Sequence, residues 1–511
     1  MADLRLLWGD LHTHLEDLDA GDAILRAGRD NVDFCAVLCY PFVWERHAGF
    51  RVESTRNRPE FAERWQRLRE LNRAHCDPGE FTTFLGYEWH GNRTRYGDHN
   101  VIYLGEDEPL DDAWELPELF AHLRSRQALA LPHHTGYAAG WRGKDWDCHD
   151  DELSPVMEVF SAHGSSEGVD TPLPMAANGS MAPRVSGGTY QDALARGLRI
   201  GAIASNDGPG LPGRWGLGRA AVWAERCTRE AIWEALKARR AYAATGDRIE
   251  LDLRVAGQPM GAVVAAGDAI VAEVEVRGAA PVDRIELVLN GEVADTYCHG
   301  GRWQRCAPGP GRYKVRIEWG WGPATHYGFP PGPDLAWQCR LGLEGARLLG
   351  VERCFTVPGN RLVEQRYDGC AWHSTTARRG ANHTFGMTQA LVVEVEGHAA
   401  AHLHLEMDGQ RLSVALADLL LGSRLVPLVD EAREAVQREL GLTEREVANP
   451  DAYFHNARKV LLHRAVPEAA YRVRHAFADL PLKQGSNYLY VRASQVNGQL
   501  AWSSPVWLEK R

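Results

Sequence analysis

At 511 residues the chain is too long for one hydrophobic core, so two or three domains are expected, each with ample apolar material to bury. Its 57 Lys and Arg stand against 68 Asp and Glu, a net charge of −11, and no basic run is long enough to follow a phosphate backbone, which sets nucleic acid aside as a partner. No stretch reaches the roughly 20 apolar residues of a membrane span, and the opening MADLRLLWGD lacks the basic region, apolar run and cleavage site of a secretory leader, so the chain reads as cytoplasmic and away from membranes.

From residue 1 to about 248, short apolar runs alternate with helix-like segments. The runs are Arg5 to Asp10, Phe34 to Leu38, Phe81 to Tyr87, Asn100 to Leu104, Ala128 to Leu131, Val156 to Phe160 and Ile200 to Ala204. Glu60 to His75 and Glu115 to Arg126 repeat apolar residues at three and four, as amphipathic helices do. Strand and helix in alternation imply a parallel α/β domain over 1–248, and seven such strands suit a barrel or near-barrel. After the helix Arg229 to Arg240 the pattern changes to alternation of period two, in Ile249 to Val255, Ile270 to Val276 and Ile285 to Val288, the last leading into the turn pair Asn290-Gly291. Leu391 to Val395, His402 to Met407 and Tyr488 to Ala493 alternate too, so residues 249–511 read as a β-rich, sandwich-like region. A helical insert is expected at about 426–462, and the Gly- and Pro-rich stretch 307–333 reads as loop. The 10 Cys form no CxxC pair and read as reduced, mostly buried thiols; the 17 Trp read mainly as core.

Chemistry concentrates in the first half. Trp8-Gly9-Asp10-Leu11-His12-Thr13-His14 closes the first strand, and residues two apart on an extended segment share a face, so His12 and His14 can share one ion. Imidazole suits Zn, Mn or Fe. Later strand ends carry Glu88, His99, the pair His133 and His134, and Asp207, and strand C-termini are where parallel barrels place their chemistry. Only one of His133 and His134 should face the ion while the strand persists. A hydrolase also needs a proton donor: His163, just past a strand end, is the first candidate and His134 the second. Glu158 points along the same strand and can orient a ligand. Arg93, Arg95 and Arg142 lie in loops beside these positions and offer the forks that anionic small-molecule substrates need. Trp89, Trp141 and Trp146 flank the same loops, and the acid-rich run Asp145 to Asp151 reads as a solvated or lid loop.

These residues resemble the PHP (polymerase and histidinol phosphatase) metal-dependent hydrolases, within them the branch with a long C-terminal β region, domain of unknown function 3604. The resemblance covers roughly residues 5 to 245. It rests on GDLHTH, Gly86-Tyr87-Glu88-Trp89, Asp98-His99-Asn100, Pro132-His133-His134 and Ser205-Asn206-Asp207, and more weakly on Ala241 to Ile249 and Ala501 to Trp507. It implies a distorted (β/α)7 barrel that hydrolyses a phosphate ester with two or three Mn, Fe or Zn ions. One ion would be held by His12, His14, Glu88 and Asp207, and a second by Glu88 as a bridge with His99 and His133. Of the family's third set, Asp19 fills the acidic position, but Tyr40 and Pro209 stand where histidines are expected, which leaves two divalent ions and frees Tyr40 as a neutral donor to the substrate. Two other readings fit the same residues: a hydrolase or lyase acting on a carbohydrate or an amide, and a non-catalytic metal- and glycan-binding protein.

Overall fold

The computed structural model describes residues 4–54, 59–176, 181–267, 270–301, 309–321, 334–376, 388–428, 437–438, 441, 443–447 and 458–510. The chain opens with β1 (Arg5–Asp10), β2 (Thr13–His14), α1 (Gly21–Arg29), β3 (Phe34–Cys39), the hairpin β4 (Val43–His47) and β5 (Phe50–Ser54), α2 (Pro59–His75) and β6 (Thr82–Trp89). It continues through α3 (Arg93–Tyr96), β7 (Asp98–Tyr103), α4 (Leu116–Leu123), β8 (Ala128–His133), β9 (Val156–Ser161), β10 (Gly164–Ser165) and α5 (Tyr190–Ala195). Then come β11 (Gly201–Ala204), β12 (Gly208–Pro209), β13 (Arg219–Ala224), α6 (Arg229–Lys237) and β14 (Ala241–Ala244).

The expected run of parallel strands is a mixed arrangement. β1, β3 and β6 pair in parallel, but β7 pairs antiparallel with β6 and with β8, and β13 pairs antiparallel with β1 and β14. β9 and β11 are parallel, in a separate three-stranded sheet with β10. One reason is chain length: residues 90–97 link β6 to β7, and a parallel crossover takes about a dozen residues or more. The pattern of apolar residues shows that a strand exists, not which way it runs.

Alternation along these strands sorts their side chains into two cores. Phe34, Ala36, Phe84, Ile102, Leu129 and Leu131 gather on one face. Leu85, Tyr87, Trp89, Val101, Tyr103 and Ala130 pack on the other, under α1, α2 and α4 through Leu25, Trp65, Leu68, Leu71, Leu119 and Phe120. Gly9 permits the close approach of β1 to β3, since a Cβ there would lie 2.2 Å from the Phe34 ring.

Two compact units emerge, and their division does not fall at residue 248. The first comprises 1–278, 282–299 and 473–511, the second 279–281 and 300–472. Glu250–Val255 pairs with Ala272–Arg277, and Val282–Leu289 with Glu292–Cys298 across a turn in which Asn290 and Gly291 both take positive φ, as that dipeptide predicts. Gly485–Gln495 and Leu500–Ser503 return to this unit, the latter pairing with β14. In the second unit the long strands Leu335–Cys354 and Thr388–Met407 lie within a nine-stranded antiparallel sheet. Its Trp319, Trp337 and Trp372 are fully buried, two of them donating to the Ser374 and Thr376 hydroxyls. Gly311–Gly320, expected as loop, is a strand of this sheet; the flanking residues 307–308 and 322–333 lie outside the described residues. The expected insert at 426–462 is strand at both ends, Arg424–Pro427 and Lys459–Leu462, with a short helix at Glu444–Val447; most of the remainder lies outside the described residues. Among the described residues no helix is long and apolar enough to cross a membrane.

The C-terminal strands are held to the first unit by a buried charge. Both carboxylate oxygens of Glu167 accept from Arg492 Nη1 at 2.8 Å, and the group also accepts from the Tyr490 hydroxyl at 2.7 Å and the Trp502 indole at 2.8 Å. Every donor comes from Gly485–Gln495 or Leu500–Ser503. Arg492→Met strands the Glu167 charge in the interior, and the expected loss is about 3–5 kcal/mol of stability. Urea denaturation followed by fluorescence checks this; an unchanged midpoint contradicts the network's role.

Candidate metal centre

β1 ends in Asp10, whose carboxylate accepts the backbone N–H of His12, Asn206 and Gly213. It thereby ties the start of the HxH segment to the stretch before and after Asp207. Asp207 N–H in turn donates to the His12 carbonyl at 3.1 Å, and Gly208 and Pro209 pair in parallel with Thr13 and His14. Side chains that lie far apart in sequence are thus brought to one end of the strands by backbone ladders.

Strand parity then decides who enters. On β6 Glu88 shares the face of Phe84, on β7 Asp98 shares the face of Ile102, and on β8 His133 shares that of Leu129 and Leu131. Ligand atoms of His12, His14 and Asp207 lie within 4.8 Å of one another, as do those of His12, Glu88 and His133. Two further groups of the same size adjoin them, Asp98 with His133 and His134, and His134 with His163 and Asp207. Both halves of the His133-His134 pair therefore take part. The strand ends at His133, and His134 adopts φ +33°, a left-handed conformation that breaks the alternation. Asp207 is left-handed as well, at φ +55°. Such strained residues collect where surrounding structure holds a functional geometry.

Two carboxylates stand between the imidazoles. Glu88 Oε2 lies 3.0 Å from His14 Nε2 and 3.7 Å from His12 Nε2, while Oε1 lies 3.7 Å from His133 Nε2. Asp207 Oδ1 faces His12 Nε2 at 3.4 Å and Oδ2 faces His163 Nε2 at 3.2 Å. His12 Nδ1 donates to Glu158 Oε2 at 2.8 Å, which fixes the ring and turns Nε2 toward Glu88 and Asp207. Yet His12 Nε2, His14 Nε2, His133 Nε2 and Glu88 Oε2, all buried, have no hydrogen-bond partner. Buried polar atoms are almost always satisfied, and four that converge without partners fit a divalent cation.

The electrostatics agree. Burial pulls the His12 imidazole down, but the charges of Asp207 and Glu158 outweigh it and hold His12 well above the usual histidine range. Burial likewise pushes Glu88 up, and the imidazoles of His12, His133 and His14 more than reverse it, so its carboxyl stays well below the carboxylate range. Asp98 is also held low against its burial, by Arg142, whose guanidinium binds it at 3.0 and 2.8 Å, and by His134 and Arg93. His134 is kept neutral chiefly by burial and by the neighbouring His133. The Tyr40 phenol, its ring 4.5 Å from that of His14, is raised by burial and by the Glu88 charge, so it keeps its proton. His163 Nδ1 and the Tyr137 hydroxyl share a hydrogen bond of 2.6 Å, which orients Nε2 toward Asp207.

Three expectations need correction. His99 joins none of these groups among the described residues: it occupies the opposite face of β7, beside Trp89 and Phe120, with Nδ1 3.2 Å from the Gly97 carbonyl. Its neighbour Asp98 takes the inward position, and counting back by two from Ile102 would have found it. Asp19 is exposed, and no described group includes it. The 145–151 run is anchored rather than solvated, with Trp146 buried and the preceding Lys144 buried and donating to the Cys148 carbonyl at 2.6 Å. Arg95 is an exposed charge, whereas Arg93 and Arg142 border the centre through Asp98.

The fold and site thus define an α/β unit with a buried histidine-carboxylate cluster able to hold divalent cations. A family model described as a protein of unknown function (DUF3604) matches residues 30–142 and 214–279. Uncharacterized proteins of Chlamydia pneumoniae and Chlamydia muridarum are each 26% identical to the chain, over 320 and 324 residues, or 57% and 58% of it. One from Chlamydia trachomatis is 25% identical over 324 residues. These alignments cover 49% of each, so the chain spans about half the length of the curated relatives it matches. A crystal structure of a two-domain protein containing a predicted PHP-like metal-dependent phosphoesterase, from Bacteroides vulgatus, aligns with 81% of this chain and 96% of its own at 12% identity and a TM-score of 0.28.

Among the described residues Glu158 pairs with His12 and no other candidate ligand, so its substitution tests the support it gives that imidazole. Glu158→Gln is expected to weaken Mn or Zn binding by about 10- to 100-fold. Competition against a chelating dye measures it, and an affinity equal to wild type contradicts the orienting role.

Proposed function

We propose that the chain is a metal-dependent hydrolase of the PHP kind, with a small phosphate ester as substrate. The observation that carries this is the convergence of unpartnered, buried His12, His14, His133 and Glu88 atoms at one end of the strands. His12, His14, Glu88 and Asp207 would hold one ion. A second would fall to Glu88, His133 and Asp98, which leaves His134 and His163 free to handle protons. When bound, divalent ions such as Mn, Zn or Fe supply Lewis acidity and a nucleophile ionised at neutral pH.

The chain's own residues do the rest. Arg93 and Arg142, already paired to Asp98, offset the negative charge that an anionic substrate meets on entry. Tyr40 keeps its proton and donates a hydrogen bond. His163, oriented by Tyr137 and accompanied by Asp207, holds at Nε2 the proton that the leaving oxygen requires. His134 packs against it with ring centroids 4.5 Å apart and is the alternative donor.

Chelator-stripped protein, reloaded singly with Mn, Zn or Fe and offered phosphate esters, amides and glycosides, tests the reading. Metal-stimulated hydrolysis of the esters alone is the expected result. Turnover confined to amides or glycosides favours the non-phosphate reading, and metal binding with no turnover of any class favours a binding protein. His163→Ala should lower kcat on an alkyl phosphate by about 10²- to 10⁴-fold. On a p-nitrophenyl ester, whose leaving group needs no proton, the loss should be far smaller; equal losses on both esters contradict its role as proton donor.

A further inference from the structure

Behind β6, on the face opposite Glu88, lies a cavity of about 660 Å³ that the chemistry above does not use. Its walls include Phe61, Trp65, Trp89 and Trp114. The indoles of Trp65 and Trp89 donate to the Glu108 and Ala113 carbonyls, so both rings are fixed in place and present only their apolar surfaces. Two polar side chains on the same wall have unspent atoms. Tyr87 is fully buried, and its hydroxyl neighbours that of Tyr103 without an aligned hydrogen bond; His90, 6% exposed, gives Nδ1–H to the Glu88 carbonyl and leaves Nε2 without a partner. Volume, aromatic walls and a few convergent polar atoms are the marks of a preformed small-molecule site.

The charge around the cavity limits what enters. Asp107, Glu108, Asp111 and Asp112 line it, and the lining arginine, Arg69, is already engaged by Asp107 and the Glu106 carbonyl. Arg73 and Arg126 likewise engage Asp107, Glu108 and Asp111, so an anion meets no unengaged cation of the described lining, while a flat ring, uncharged or positive, gains stacking or cation–π attraction. The cavity also lies close to the metal centre: the His90 ring packs on Tyr40 at 4.6 Å, and Tyr40 packs on His14 at 4.5 Å.

We propose that this cavity binds an uncharged or cationic aromatic ring, hydrogen-bonded to Tyr87 and His90, and that the ring belongs to the alcohol portion of the ester hydrolysed at the neighbouring centre. The second half rests on the hydrolase reading; the first does not. Binding is tested on chelator-stripped protein by titration calorimetry with phenol, benzylamine, benzoate and cyclohexanol. Phenol and benzylamine should bind about tenfold or more tightly than benzoate or cyclohexanol. Trp114→Ala and Tyr87→Phe should each weaken phenol binding, by about tenfold and threefold. Trp114 is 56% exposed and Tyr87→Phe keeps the buried ring, so both variants should stay close to the wild-type melting temperature. Benzoate or cyclohexanol matching phenol, or phenol binding indifferent to both substitutions, overturns the ring site. With Mn restored, kcat/KM for benzyl phosphate should exceed that for ethyl phosphate by about tenfold, and the ratio should shrink in Trp114→Ala. Phenol binding that depends on Trp114, with neither ester hydrolysed, overturns the hydrolase reading and leaves the ring site standing. Equal hydrolysis of both esters without phenol binding does the reverse.

Discussion

Glu88, Asp98, Glu158 and Asp207 share one water-poor end of the strands with five imidazoles, and holding that charge together is the constraint around which the first unit is built. Carboxylates this deeply buried persist only when paired or bound to cations. The chain answers in part with its own groups: Arg142 and Arg93 on Asp98, His12 on Glu158. Arg93 reaches Glu88 Oε1 only at 3.8 Å, and Glu88 Oε2 and the Nε2 atoms of His12, His14 and His133 make no aligned hydrogen bond, an arrangement that suits a cation between them.

The supporting structure is directed to that end. Asp10 gathers three backbone N–H groups from two separate segments, Asp207 is bonded to the His12 backbone, and left-handed residues at 134 and 207 turn side chains that regular strand geometry would send elsewhere. Tyr137 and Glu158 fix ring orientations without joining the cluster's free lone pairs. Opposite the same strand, rigid indoles and unspent polar atoms build a second cavity of contrary character, apolar inside and acidic at the rim.

Much of this centre was legible in the residues. His12 and His14 declare themselves by spacing, and Glu88, His133 and Asp207 by their place at strand ends. Asp98 was hidden behind its neighbour, because a histidine draws attention as a ligand and the alternation that turns it outward is visible only when the strand is counted residue by residue. Strand direction was not legible at all: an apolar run of six looks the same whichever way it is paired, so a mixed sheet read as parallel. The return of 485–503 to the first unit depends on contacts such as Glu167 with Arg492, which no local pattern encodes. Asp19 shows the opposite error, a motif position filled by the right residue type but left in solvent.

The central claim is that these side chains grip divalent cations, and anomalous diffraction from crystals soaked in Mn or Zn tests it most directly. The account predicts a peak bounded by His12, His14, Glu88 and Asp207, with a second toward His133 and Asp98. Crystals that bind the metal only elsewhere, or that hold none between these residues at saturating concentration, would contradict it.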